Sequence, residues 1–250
     1  FKKLGIKNVE LVNGDALEAA KSIKKADIVF CDTERAAEEK VRRLSGLKPS
    51  IQEIMKAYSH ITKDFCIEVP PQIRDINLKC EIEYLSLNGK LNRLSLYFGS
   101  LIKSDFSAVI LPQGFRVEGE QGGMPRSVDK AMSYIYEADD AVVKAKLLYK
   151  IIPKNVFLYS KEKQTLLTSD KYAKNDFFSN SYKVLAKCKP SYEEIIEALN
   201  RADAGSVVLR ARVKPEEYWA ERKKYESKLS GSKKIYLFVN SNEALIAEQV

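Results

Sequence analysis

The stretch Ala26-Asp27-Ile28-Val29-Phe30-Cys31-Asp32-Thr33-Glu34-Arg35 restricts the fold of this chain more than any other. Apolar residues run unbroken into an acid, and a helix-like pattern follows over residues 36–44. An unbroken apolar run reads as a parallel strand buried on both faces, whereas alternation would mark a half-exposed one. Parallel strands need crossover connections, and ligands of open parallel sheets bind beyond the strands' carboxyl ends. Asp32 stands at such an end. Two readings of it remain side by side: a functional acid at the mouth of a crevice, and an N-cap for the following helix.

The neighbouring segments extend the pattern. Residues 8–12 read as a strand closed by Asn13-Gly14-Asp15, and 16–25 as a helix with Leu17, Ala20 and Ile23 on one face. Pro49-Ser50 opens another helix, with Ile51, Ile54, Met55 and Tyr58 together. Residues 64–69 form a third strand, stopped by Pro70-Pro71. The order β-α-β-α-β implies a parallel sheet with right-handed crossovers. Then the rhythm changes: 79–85 and 91–98 are strands joined across Leu87-Asn88-Gly89, a hairpin signal. The expected fold is α/β, a parallel sheet finished by an antiparallel hairpin. Pro70-Pro71-Gln72 is either a plain turn or one wall of a crevice.

Further on, the glycines of 114–125 lack the spacing of a phosphate loop and fit a mobile hairpin or lid. Asp139 caps a helix over 140–149 with the stripe Ala141, Val142, Ala145 and Leu148. Glu137 has no comparable local duty and is a candidate functional acid. From 181 onward the chain reads as strand 182–188, helix 191–201, strand 206–213, helix 215–229, strand 234–240 and strand 244–248. Ser191 and Glu194 have the spacing of a capping box. This order suggests an α+β, ferredoxin-like domain. The expected division is 1–104, 105–180 and 181–250.

Composition narrows the function classes. The net charge of +8 permits an acidic partner, nucleic acid first. Between Arg210 and Lys234 nine basic residues face four acids, with Tyr218, Trp219 and Tyr225 interleaved. Arg210, Arg212, Arg222, Lys223 and Lys224 are therefore candidate RNA contacts, through phosphates and stacking. The alternative is an amphipathic helix with a solvated charged face. No apolar run approaches the roughly 20 residues that span a bilayer. The four cysteines are scattered, which suits a reduced, cytoplasmic setting, and with His60 as the single histidine no zinc site is expected. Phe1-Lys2-Lys3-Leu4-Gly5 reads as the last turn of a helix, so the chain is expected to be the C-terminal piece of a longer protein.

Several of these segments carry a resemblance. Residues 8–16 (Asn-Val-Glu-Leu-Val-Asn-Gly-Asp-Ala) are similar to the segment of class I S-adenosylmethionine-dependent methyltransferases whose acid meets the adenine amino group. Asp32-Thr33-Glu34-Arg35 stands where that fold has the motif after its fourth strand. Tyr134-Ile135-Tyr136-Glu137-Ala138-Asp139-Asp140-Ala141-Val142 resembles the Y-L-Y-E-P-D-P-A-V run of one family. That family comprises class I methyltransferase-like proteins with a C-terminal THUMP-like domain, and the likeness spans almost the whole chain. It departs at Thr33, Ala138 and Asp140, where the family has proline.

The resemblance implies S-adenosylmethionine as cofactor, held by Asp15, Ala16 and Asp32. It makes Asp32, Arg35 and Glu137 the candidate catalytic groups. N-caps and a solvated cation remain the alternatives for Asp15 and Arg35. The glycine-rich cofactor loop is missing, so the implied partners are the N-terminal half of the methyltransferase domain and an RNA, tRNA or rRNA. A non-catalytic RNA-binding or scaffold protein on a degenerate methyltransferase fold is the competing expectation.

Overall fold

The computed structural model describes residues 2–35, 42–74, 76–162 and 164–250. They fall into two compact units: Phe1–Leu85, Leu91–Ser107 and Glu118–Glu120 in the first, and Ser86–Lys90, Ala108–Val117 and Gln121–Val250 in the second.

The first strands are β1 (Val29–Asp32), β2 (Glu34–Arg35), β3 (Leu47–Lys48) and β4 (Phe65–Val69), with helices α1 (Ala16–Ala19) and α2 (Ile51–Tyr58). β5 (Glu81–Leu87), β6 (Lys90–Phe98), β7 (Phe106–Leu111) and β8 (Phe115–Gly119) follow. A six-stranded sheet has the order β1-β4-β6-β5-β7-β8. β1 and β4 are parallel, with Val29 opposite Phe65 and Asp32 opposite Glu68. β4 and β6 are antiparallel, Phe65 opposite Phe98 and Val69 opposite Leu94. The change of direction expected from sequence therefore falls between β4 and β6. Asn88 and Gly89 turn the β5–β6 hairpin with φ of 52° and 75°, a mirror-image turn that matches strand twist. β4 buries Phe65, Ile67 and Val69 on alternate positions. α2 starts at a reciprocal cap in which the Glu53 N–H donates to Ser50 Oγ and the Ser50 N–H to Glu53 Oε2.

Three expectations need correction here. Residues 8–12 form no strand: Leu11 and Val12 are exposed, and among the described residues nothing pairs with them. Strand-type residues without a neighbouring ladder have nowhere to place their backbone donors and acceptors except water. β1 is not buried on both faces either. Among the described residues it pairs with β4 alone, its burial alternates, and Phe30 is 60% exposed. The helix of 16–25 shortens to α1 and one 3-10 turn, Ala20–Ser22. The helix expected over 36–44 falls largely on 36–41, outside the described residues.

The second unit is built on β9 (Tyr134–Ala138), β10 (Phe157–Ser160), β11 (Leu166–Ser169), β12 (Phe178–Cys188), β13 (Ala204–Ala211), β14 (Lys233–Val239) and β15 (Ala244–Gln249). Its helices are α3 (Asp140–Lys144), α4 (Leu148–Ile151), α5 (Tyr192–Arg201) and α6 (Tyr218–Glu226). One seven-stranded sheet runs β10-β11-β9-β12-β15-β14-β13. Asp139 caps α3 as expected, accepting from the Ala141 N–H, but the helix of 140–149 breaks where Lys146 takes a φ of 57°. The terminal segment is α+β. Its last strand, β15, lies between β12 and β14, whereas a ferredoxin-like order would leave it at an edge. The Ser191–Glu194 box does not form: Glu194 Oε2 accepts from the Lys189 N–H, and Ser191 makes no side-chain cap.

β13 separates two environments by its period of two. Val207, Leu209 and Ala211 join Ile195 and Leu199 of α5 and Tyr225 of α6 in one core. Val208 takes the other face, packed on Tyr182, Tyr236 and Phe238, and by register Arg210 shares it.

Candidate functional site

The register of β1 and β4 brings two acids to the same carboxyl end, Asp32 opposite Glu68. Beyond them lies a cleft of about 330 Å³ walled by Thr33, Glu68, Pro70, Pro71 and Arg93. The Thr33 hydroxyl is buried and donates to the Glu68 carbonyl at 3.0 Å, which fixes the chain as it leaves β1. Glu68 is paired with Arg93. Pro70-Pro71 ends β4 and also forms a wall, so both sequence readings of that turn hold together.

A larger hollow of about 700 Å³ runs along β1, lined by Asp15, Ala16, Ile28, Phe30, Asp32 and Tyr58 among others. Asp32 borders both spaces, and it is not an N-cap, since β2 follows it. The adjacent pair Asp15-Ala16 and the more distant Asp32 therefore line one hollow. Asp15 does cap α1: its Oδ1 accepts from the N–H groups of Leu17 at 2.9 Å and Glu18 at 3.0 Å. Both bonds use one oxygen, leaving Oδ2 for another donor. Tyr58 donates to the Ala16 carbonyl at 2.5 Å and so ties α2 to the first turn of α1.

The electrostatics of this hollow have a clear sign. Burial pushes the Cys31 thiol up, and Asp32 adds to the effect. Burial likewise raises the Tyr58 phenol, helped by Cys31 and Asp15. Burial, the larger cause in both cases, keeps these two groups neutral, and the carboxylates of Asp15 and Asp32 add a smaller effect of the same direction. Arg35 lies in β2 opposite Leu47, and its side chain lies outside the described residues.

Glu137 is in the second unit and does have partners, all distant in sequence. Its carboxylate accepts from Gln164 Nε2 and Asn180 Nδ2, each at 2.6 Å, and faces Arg210 Nε at 3.2 Å. That last approach is an ion pair without a directed hydrogen bond, because Arg210 Nε is buried with no acceptor in line. Sequence reasoning set Arg210 on the strand of 206–213 and counted it with the helix cations as an RNA contact. The alternation of β13 was the signal that it faces the opposite way. Arg212 is exposed. On α6, Arg222 pairs with Glu226 at 2.8 Å and lies 5.3 Å over the Trp219 ring, itself 68% exposed. Lys224 reaches Glu221, and Lys223 is exposed. Among the described residues no cluster of three or more His, Cys, Asp or Glu is arranged to hold a metal ion. No described helix is long and apolar enough to cross a membrane.

No family model matches the chain, and no curated protein sequence matches it. Among solved structures it is similar to a "putative methyltransferase" from Porphyromonas gingivalis W83, with a TM-score of 0.70 and 15% sequence identity. The likeness covers 94% of this chain and 62% of that one. At this identity the similarity is one of fold. The chain has a methyltransferase-like α/β fold, and it spans less than two thirds of the length of that structure.

Proposed function

We propose that this chain carries the later half of an S-adenosylmethionine-dependent methyltransferase that modifies RNA. The observation that supports the reading most is the convergence of Asp15, Ala16 and Asp32 on one hollow, in a methyltransferase-like sheet. Asp15 Oδ2 would accept from the adenine amino group beside the Ala16 backbone, while Ile28 and Phe30 offer apolar surface. The carboxylates around the hollow suit a sulfonium cation. When bound, the cofactor supplies an electrophilic methyl group. Asp32 would orient the nucleophile or accept its proton, and alignment with proton removal is most of what such a transfer requires.

These residues fit only one end of the cofactor. The chain contains no Gly-x-Gly turn between a strand and a helix to receive the amino-acid end. On this reading, a further strand and its helices from the same protein pair with the open edge of β1 and cover Ile28 and Phe30. The terminal domain, THUMP-like on the same reading, would hold RNA through Trp219, Arg222, Lys223 and Lys224 on α6.

The test is calorimetry with S-adenosylmethionine on this chain and on the full-length product of its gene. Micromolar binding confined to the longer protein is expected. Absence of binding in both would refute the cofactor reading and leave an RNA-binding scaffold on a methyltransferase-like fold. That second reading draws on the exposed α6 cluster alone.

A further inference from the structure

Glu137 does not border the hollow of the first unit. It lines a separate cavity of about 710 Å³ whose lining lies wholly in the second unit. Asn88 comes from the β5–β6 turn and Lys90 from the start of β6, Gln113 from the β7–β8 connection and Phe115 from the start of β8, and Phe178 and Asn180 from β12. Glu137, Asp139, Asp140 and Asp176 set four carboxyl groups around it against two cations, Lys90 and Arg210. Arg210 is already committed to Glu137.

This composition selects among ligands. A phosphate would meet an excess of carboxylates with the guanidinium already engaged, so anions are disfavoured. A flat ring finds aromatic surface in Phe115 and Phe178, which suits stacking. Carboxylate oxygens accept from exocyclic amino groups, and side-chain amides read the mixed donor–acceptor edge of a base. The size falls within the usual range for small-ligand sites. The Glu137–Arg210 pair is costly to bury, and apolar side chains of similar volume at the two positions would serve stability equally well.

We propose that this cavity receives a single amino-bearing nucleobase, adenine or cytosine, with its phosphate left outside. The proposal rests on the RNA reading for its natural source, an unpaired nucleotide of the bound strand. Its chemistry stands on the cavity alone. Because β13 presents Arg210 and the α6-facing residues on opposite sides of the sheet, base capture and backbone contact through α6 are separable.

The test is titration of adenosine, cytidine and uridine, and of their 5′-monophosphates, into the chain, followed by calorimetry or amide NMR shifts. Adenosine and cytidine should bind about fivefold or more tighter than uridine, which carries a carbonyl where they carry the amine. Monophosphates should bind no tighter than nucleosides. Phe115→Ala, at a partly exposed position, should weaken adenosine and cytidine alike by about fivefold or more through lost stacking. Asp176→Asn, at an exposed carboxylate of the lining, should narrow the preference over uridine. Equal binding of all three, a gain from phosphate, or no nucleoside binding would overturn the proposal. A gel shift with oligouridine on Arg222→Ala and Lys223→Ala proteins separates the two readings. RNA binding lost in those variants, with nucleosides inert throughout, removes the cavity proposal and keeps the RNA reading. Nucleoside binding in a chain that holds no RNA does the reverse.

Discussion

Glu137→Gln should destabilise the second unit by about 2–3 kcal/mol. The carboxylate serves Gln164, Asn180 and Arg210 with two oxygens. Glutamine keeps the shape but converts one oxygen into a donor that must face another donor. A hydrogen bond to a charged group contributes about 1.5–3 kcal/mol, and orphaning one member of a buried ion pair costs about 3–5 kcal/mol. Glu137 is 10% exposed and Arg210 32%, so water reaches the guanidinium and the cost falls below the buried-pair range, to about 2–3 kcal/mol. Trp219 is the single tryptophan and lies in this unit, so urea unfolding followed at its fluorescence reports on the right region. With a urea slope of about 2 kcal/mol per molar, the midpoint should fall by about 1–1.5 M. Adding Arg210→Met removes the stranded cation and should restore about 1 kcal/mol or more. A single variant within about 0.5 kcal/mol of the parent, or strict additivity in the double variant, would refute the reasoning.

Two smaller tests concern the first unit. Asp15→Ser retains an N-cap for α1 and removes the second carboxylate oxygen; the full-length product should keep its stability within about 0.5 kcal/mol yet bind S-adenosylmethionine about tenfold more weakly, and unchanged affinity would limit Asp15 to capping. Asp64 accepts from the Ser100 hydroxyl at 2.7 Å and its N–H at 2.6 Å, and these bonds, the hydroxyl first, hold its carboxyl below the ordinary range. The folded value lies below the unfolded one, so this stability is present above about pH 4 and is lost as pH falls through the folded value. Acid unfolding followed by circular dichroism should therefore be shallower for Asp64→Asn, and identical acid limbs would discount the interaction.

What the sequence made legible was local. Asn88-Gly89 announces its hairpin because few residues accept positive φ, and Asp139 announces α3 because its side chain answers an N–H two residues on. The convergence of Asp15 and Asp32 depended on a resemblance, and the hollow they share is a tertiary fact. Competition explains the misses. Glu194 had a capping partner by spacing but serves the Lys189 N–H instead, while Ser50 and Glu53 formed the reciprocal cap that went unread. The unbroken run Ile28–Phe30 looked doubly buried, yet burial is set by neighbours, and among the described residues β1 has one neighbouring strand. Glu137 stood out for lacking a local role; its partners come from β12, β13 and the loop before β11, which no spacing rule connects.

The division into units has a practical consequence for anyone cutting the gene. The backbone passes from one unit to the other at 85/86, 90/91, 107/108, 117/118 and 120/121, five passages within a few dozen residues. No single stop codon or protease nick in that stretch yields two whole pieces, since each fragment would carry off part of the other's strands. Deletion analysis that places a boundary there would report lost activity for every fragment, whichever unit held it. Insertional tags face the same obstacle, and the turn at Asn242, past the last passage and between β14 and β15, is a safer place to put one.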